Sequence, residues 1–150
     1  MIAKLAFGKT DHESTRTLFG GAAIKATFTQ DQADKVLELL VEHGVNHIDT
    51  AASYGKGNSE ACIGPWMGSH RDQFFLASKT GDRSYQEAWA SIRASLKKLQ
   101  VKYLDLIQLH NLTDPTEWEI AMGPNGALKR PAWKRENGGW CDLLALPAMD

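Results

Sequence analysis

The 150-residue sequence lacks any long run of basic residues and carries almost no net charge, with 17 Lys and Arg against 18 Asp and Glu. This balance provides no broad positive field of the kind that binds a nucleic acid backbone. The longest apolar stretches, such as residues 104–109, are short and interrupted by polar residues. A membrane span needs about 20 apolar residues. We therefore expect neither nucleic acid nor a membrane as a partner.

Cysteine is also scarce, and the two residues present, Cys62 and Cys141, have neither a disulfide pattern nor a metal-ligand spacing. A free cysteine usually behaves as a small buried hydrophobic residue, and we interpret Cys62 in that way. The apolar stretch within residues 1–8 is too short for a secretory signal. We expect no metal site and a cytoplasmic location.

What the sequence does contain is a repeat. Strand-like segments end at Phe19, Asp49, Lys79 and His110, which are separated by 30, 30 and 31 residues. Helical periodicity fills the intervals between them. Parallel strands need a crossover helix between them, so this alternation predicts an α/β fold with a parallel sheet.

The helices carry start signals of different quality. Thr29 and Ser84 are each followed three residues later by Gln or Glu, which is the capping-box pattern. Asn58 is a candidate N-cap for the intervening helix. Pro65 lies inside that helix, where proline costs about 3 kcal/mol, so we expect a kink or an early end there.

Two architectures fit the repeat, an open doubly wound sheet and a (β/α)8 barrel. The open sheet usually has a G-x-G-x-x-G nucleotide motif after its first strand. The first strand-like segment, 16–19, is instead followed by Gly-Gly-Ala-Ala at 20–23, which does not match. The pattern therefore favours the barrel.

Polar residues stand where the predicted strands end. Asp49, Lys79 and His110 each close a strand, and Tyr54 lies in the loop after the second one. In a βα barrel the carboxyl ends of the strands build the active site, so these side chains would converge. Each residue alone also fits a structural role, as a loop cap, a surface ring, a solvated strand end or a buried histidine. The recurrence of three of them at one point of the repeat favours a site.

These four residue types suit proton donation to a carbonyl oxygen. A tyrosine has an ordinary pKa near 10, so acid–base work near neutrality requires a phenolate stabilised by roughly 4 kcal/mol. A nearby lysine ammonium supplies that stabilisation, and an aspartate keeps the lysine charged and oriented. A histidine then hydrogen-bonds the same oxygen. Since these residues include no nucleophile or metal ligand set, the electrons must come from another molecule.

The sequence resembles the aldo-keto reductase family over about residues 16–128. The segments that carry the resemblance are 44–55, 58–60, 63–64, 76–81, 99–100 and 103–111. The resemblance implies a (β/α)8 barrel that reduces an aldehyde or ketone with NADPH. It further implies that Tyr54 gives a proton to the carbonyl oxygen, that Lys79 and Asp49 support Tyr54, and that His110 orients the carbonyl.

The resemblance also implies cofactor contacts. Gly20, Gly21 and Ala22 match the stretch that approaches the cofactor, and Asp49 would lie near the nicotinamide ribose. Separately from the resemblance, Asn111 is a candidate cofactor contact because it stands beside His110. A tight turn alone would also explain the two glycines, and both explanations stay open. The carbonyl substrate is not identified by the sequence.

The repeat accounts for only four of the eight βα units before His110. Pro131 and the pair Gly138-Gly139 argue against a further family helix, so we expect residues 129–150 to be an irregular tail outside the family, as a frameshift or premature end would produce. Unpaired strand edges would then favour self-association, low solubility and weak activity. A non-catalytic binding or regulatory module, or a fragment without function, remain alternatives.

Overall fold

The fold is an α/β arrangement in the computed structural model, which describes residues 2–128, 133–134 and 140–147. The strands are β1 (Lys4–Ala6), β2 (Glu13–Thr15), β3 (Phe19–Gly20), β4 (His47–Asp49), β5 (Phe75–Thr80), β6 (Leu106–Leu112), β7 (Trp133–Lys134) and β8 (Trp140–Pro147). The helices are α1 (Gln30–Glu42), α2 (Asn58–His70), α3 (Tyr85–Lys98) and α4 (Pro115–Met122), with short 3-10 turns at Gly21–Ala23, Tyr54–Gly57 and Arg71–Gln73.

Six strands form one sheet in the order β3-β4-β5-β6-β8-β7. The pairs β3–β4, β4–β5, β5–β6 and β6–β8 are parallel, and β7 runs antiparallel to β8. Helices α1, α2 and α3 lie in the connections between successive parallel strands. The α/β class with a parallel sheet is therefore confirmed.

The two faces of the sheet have different partners. Ile48, Leu76 and Ile107 lie in the main core, together with buried residues of α1, α2 and α3 such as Leu37, Ile63 and Ile92. The opposite face of the sheet, the inner face, carries a separate cluster of Phe75, Ala77 and Leu106. Because side chains alternate along a strand, Asp49 and Lys79 lie on this inner face, at the carboxyl ends of β4 and β5.

The capping boxes predicted for the first and third helices differ in detail. For α1 the box is complete: the Gln32 amide donates to Thr29 Oγ1 at 3.3 Å, and the Thr29 amide donates to Gln32 Oε1 at 3.0 Å. For α3 the Glu87 amide donates to Ser84 Oγ at 3.4 Å, and the Ser84 hydroxyl donates to the Glu87 carboxylate at 2.6 Å. Both start signals are confirmed.

The Asn58 cap predicted for α2 is wrong, and so is an early end, one of the two outcomes expected at Pro65. The cap position is Gly57, and Asn58 is the first helical residue. The Asn58 side-chain amide instead donates to the carbonyl oxygens of Lys25 and Phe28, which ties α2 to the loop before α1. The helix also continues through Pro65 to His70 without an early end. Buried side chains on both sides of Pro65, among them Ile63 and Met67, provide packing that offsets the missing backbone hydrogen bond.

Two further expectations need correction. The first strand of the repeat occupies Phe19–Gly20 rather than 16–19, because its pairing with β4 begins only at Phe19. The expected irregular tail over 129–150 is wrong where β7 and β8 form. The edge of β6 that faces away from β5 pairs with β8, beginning with Leu106 opposite Asp142. The rest of that expectation falls on 129–132, 135–139 and 148–150, outside the described residues. The family boundary near residue 128 stays a prediction.

The N-terminal hairpin of β1 and β2 contacts the amino-terminal end of the sheet. Phe7 lies edge-on to His47, with 4.9 Å between the ring centroids, and Phe75 lies 4.7 Å from His47 and 5.4 Å from Phe7. Ser14 Oγ is 2.8 Å from His47 Nδ1. Burial, with only 2% of His47 exposed, lowers its pKa from 6.5 to about 4.

Candidate active site

The four predicted site residues lie at one edge of the sheet. Asp49 ends β4, Lys79 is the penultimate residue of β5, and His110 lies in the last half of β6. Tyr54 begins the 3-10 turn that follows β4. The parallel register places the carboxyl ends of these strands side by side, which is why residues about 30 positions apart meet.

Lys79 and Asp49 form the most strongly bonded pair of the site. The Lys79 ammonium donates to both Asp49 carboxylate oxygens at 2.6 Å, and to the Thr50 carbonyl oxygen at 2.9 Å. The side chains are 11% and 26% exposed, respectively. Three short charge-assisted hydrogen bonds to acceptors at one strand end fix the ammonium in position.

The Tyr54 ring contacts both the Lys79 ammonium and the His110 imidazole. Lys79 Nζ is 5.0 Å from the centroid of the Tyr54 ring, within the range of a cation–π contact. The His110 ring meets the Tyr54 ring edge-on, with centroids 5.5 Å apart and planes at 87°. The predicted convergence of the four residues on one site is therefore present in the structure.

The turn that carries Tyr54 depends on glycine. Gly55 has φ of +58°, a conformation that glycine adopts without strain. A Cβ at Gly55 would lie 2.7 Å from the Ile24 carbonyl oxygen. Both the backbone angle and the close approach of the loop before α1 thus require glycine immediately after Tyr54.

His110 is held in a partly buried setting. Ser53 Oγ lies 3.3 Å from His110 Nδ1, within hydrogen-bond distance. Burial lowers the pKa of His110 from its ordinary value of 6.5, and the positive charge of Lys79 lowers it further. The imidazole is therefore neutral at pH 7 and carries one N–H donor.

The residues predicted to approach a cofactor have different surroundings. Gly20 pairs with Asp49 in the sheet, and a Cβ there would meet nothing within 4 Å. Gly21 is buried, and a Cβ there would lie 2.7 Å from Thr50 Oγ1. Its missing side chain is thus explained by packing. Ala22 is exposed, and so is Asn111, which follows His110 with φ of +50°.

Several contributing residues were missed by the sequence reasoning. Thr50 supplies a carbonyl oxygen to Lys79, and Ser53 contacts His110. Both lie in the small-residue loop between Asp49 and Tyr54, which was a signal available in the sequence. Arg83 donates to the His110 carbonyl oxygen at 2.7 Å. Its position in the loop after β5 was the only clue to it.

No group of His, Cys, Asp and Glu suited to a metal ion occurs among the residues that the structure describes. In the same part of the chain, no helix is long and apolar enough to span a membrane.

The comparison with protein families agrees with this geometry. The model described as "Aldo/keto reductase family" matches residues 16–130, more than half of the chain. The chain belongs to the aldo-keto reductase family. The (β/α)8 barrel of that family is therefore its fold class, and the chain forms part of such a barrel.

Individual aldo-keto reductases show how much of the fold is covered. Norsolorinic acid reductase B of Dothistroma septosporum is 33% identical over 111 residues, covering 60% of this chain and 28% of that protein. An aldo-keto reductase structure from Bacillus halodurans, in its holo form, has a TM-score of 0.70 at 27% identity, over 78% of this chain and 43% of its own. One from Klebsiella pneumoniae in complex with NADPH has a TM-score of 0.66 at 26% identity, over 76% and 41%. The chain thus spans under a third of that curated relative and less than half of either structure.

Proposed function

We propose that the site at the carboxyl edge of the sheet reduces an aldehyde or ketone to an alcohol with NADPH as cofactor. The observation that carries this proposal is the close grouping of Lys79, Asp49, Tyr54 and His110 at one edge of the sheet. The Lys79 ammonium is held by both oxygens of Asp49 and lies 5.0 Å from the centroid of the Tyr54 ring. The His110 ring meets the same tyrosine ring edge-on. No other described part of the chain brings a tyrosine, a lysine and a neutral histidine together in this way.

The residues present fit the nicotinamide end of the cofactor. Asp49 keeps about a quarter of its side chain exposed, so its carboxylate can accept a hydrogen bond from a ribose hydroxyl. Gly20, beside it in the sheet, leaves open space. Ala22, two residues after Gly20, and Asn111, next to His110, are both exposed. When bound, the cofactor supplies the hydride for the carbonyl carbon. The structure of the Klebsiella pneumoniae relative with NADPH supports this choice of cofactor.

The chain's own residues handle the proton and the carbonyl oxygen. Tyr54 gives its hydroxyl proton to that oxygen. The Lys79 ammonium, held in place by Asp49, stabilises the phenolate that the transfer leaves behind. His110 is neutral near pH 7, so its N–H donates a hydrogen bond to the same oxygen and fixes its direction.

Two measurements on the 150-residue chain test this proposal. A fluorescence titration with NADPH should show saturable binding, because Asp49 and the open edge at Gly20 are present. Incubation with NADPH and an aromatic aldehyde should then give slow alcohol formation. We expect slow turnover because the chain spans less than half of its solved relatives. Binding without any alcohol would contradict a reductase and favour a non-catalytic binding module, and no binding would contradict both.

A further inference from the structure

The loop after β5 carries a buried arginine that reaches the end of β6. Arg83 is only 9% exposed. Its Nη2 donates to the carbonyl oxygens of His110 at 2.7 Å and Asn111 at 3.1 Å, and its Nε donates to the Glu117 carboxylate at 2.9 Å. Its Nη1 is buried without a partner among the described residues. One guanidinium thus joins the β5 loop, the end of β6 and helix α4.

Bonding two consecutive carbonyl groups to one nitrogen requires an irregular strand. In a regular strand successive carbonyl groups point to opposite sides. The pairing of β6 with β8 shifts register between Leu109 and Leu112, and Asn111 has φ of +50°, a left-handed conformation that is foreign to a regular strand. Both irregularities lie where Arg83 binds, so the guanidinium holds the strand in a bent conformation.

The bend coincides with the residue whose side chain meets Tyr54. His110 lies immediately before the left-handed Asn111, and a bulge of this kind changes the direction in which a side chain points. From this position the His110 ring lies 5.5 Å from the Tyr54 ring, and its Nδ1 lies 3.3 Å from Ser53 Oγ. A straightened strand would not keep these contacts.

We propose that Arg83 is a positioning residue, which fixes the bend at His110 and Asn111 and so sets the orientation of the His110 imidazole toward Tyr54. Arg83 acts through the backbone and does not touch the reacting atoms. Its effect on carbonyl reduction rests on the proposed function, whereas its effect on the His110 ring does not.

The arginine is itself fixed from several sides. Its carbonyl oxygen accepts from the Ala127 amide at 2.9 Å, and the amide of Tyr85, two residues on, donates to the Asn125 carbonyl oxygen at 2.8 Å. Glu117 holds the guanidinium from the side of α4. A lysine keeps the charge but lacks the planar fork that bonds the carboxylate and the two carbonyl groups at once.

The direct test is the NMR shift that the Tyr54 ring current imposes on the His110 imidazole protons. The size of that shift is the difference in His110 proton shift between a chain with Tyr54 and the same chain carrying Tyr54→Leu. When Arg83→Met or Arg83→Lys is present in both members of the pair, this difference should be at most half of its value in the wild-type background. The control Arg93→Met, the same change at an exposed position of α3, should keep it. A full shift in Arg83→Met, or in Arg83→Lys, would overturn the proposal.

A milder variant keeps the proposal falsifiable if Arg83→Met does not fold. Glu117→Gln leaves Arg83 in place and weakens its anchor, so the ring-current shift should fall partly. Arg83→Lys remains decisive, since a full shift in that variant overturns the proposal whatever Glu117→Gln shows. In the turnover assay, Arg83→Lys should lower kcat about 10- to 100-fold with the NADPH dissociation constant unchanged. A wild-type chain without turnover would refute the proposed function, while the NMR result would still decide the positioning role.

Discussion

The buried histidine under the N-terminal hairpin makes stability depend on pH in a defined window. His47 is 2% exposed, contacts the rings of Phe7 and Phe75, and has a pKa lowered from 6.5 to about 4 by burial. In the unfolded chain the same imidazole takes up a proton near pH 6.5. Between these two values the unfolded state therefore binds more protons than the folded state, and stability must fall as the pH falls.

The size of this effect follows from the two pKa values. Each unit of difference corresponds to about 1.4 kcal/mol. Lowering the pH from 7 to 4.5 covers most of the window, so we expect His47 to remove about 2 kcal/mol of unfolding free energy after allowance for solvent screening. Burial also lowers the pKa of His12, next to Phe75 in the same cluster, and adds a loss of the same sign.

Urea unfolding at several pH values measures this loss. The wild-type chain should lose stability between pH 6.5 and 4.5, and His47→Phe, which keeps an aromatic ring but cannot titrate, should lose about 2 kcal/mol less over the same range. His43→Gln, at an exposed position after α1, should behave as the wild type. Equal pH dependence in the wild-type chain and His47→Phe would refute the reasoning.

The other predictions concern the site and its supporting turn. Lys79→Met leaves the Asp49 carboxylate without its ionic partner, so unfolding free energy should fall by about 1–2 kcal/mol and alcohol formation should be lost. Lys97→Met, at an exposed position of α3, serves as its control, and retained turnover in Lys79→Met would contradict the role of the ammonium. Gly55→Ala should cost about 1–3 kcal/mol in urea unfolding, because of its positive φ and the close Ile24 carbonyl oxygen. Gly81→Ala, with open space around it, should change stability by less than about 0.5 kcal/mol, and equal effects of the two changes would count against a strained turn.

Most of the site was predictable because it follows from the repeat. Asp49, Lys79 and His110 end strands about 30 residues apart, and parallel pairing turns that spacing into proximity. Tyr54 was predictable because a short loop of small residues, fixed by Gly55, keeps it near the same edge. The α/β class came from the same regularity, since periodic helices between short strands leave few other arrangements.

What the sequence did not show depends on contacts that have no local pattern. Asn58 has the residue type of a helix cap, but its side-chain amide donates hydrogen bonds to the carbonyl groups of Lys25 and Phe28. Pro65 should end a helix, but buried neighbours hold α2 together beyond it. Arg83 binds the end of a strand 27 residues away, which only its hydrogen bonds in the folded chain reveal. Tertiary packing overrode local preference in each case.

The central claim is that Tyr54 gives the proton to a carbonyl oxygen at this edge of the sheet. The most direct test compares alcohol formation from an aromatic aldehyde and NADPH by Tyr54→Phe and by Tyr103→Phe. The second variant makes the same change at a tyrosine that stacks on Arg71, away from the site. We predict that Tyr54→Phe binds NADPH as the wild-type chain does but forms no alcohol, while Tyr103→Phe keeps wild-type turnover. Wild-type turnover by Tyr54→Phe would contradict the account.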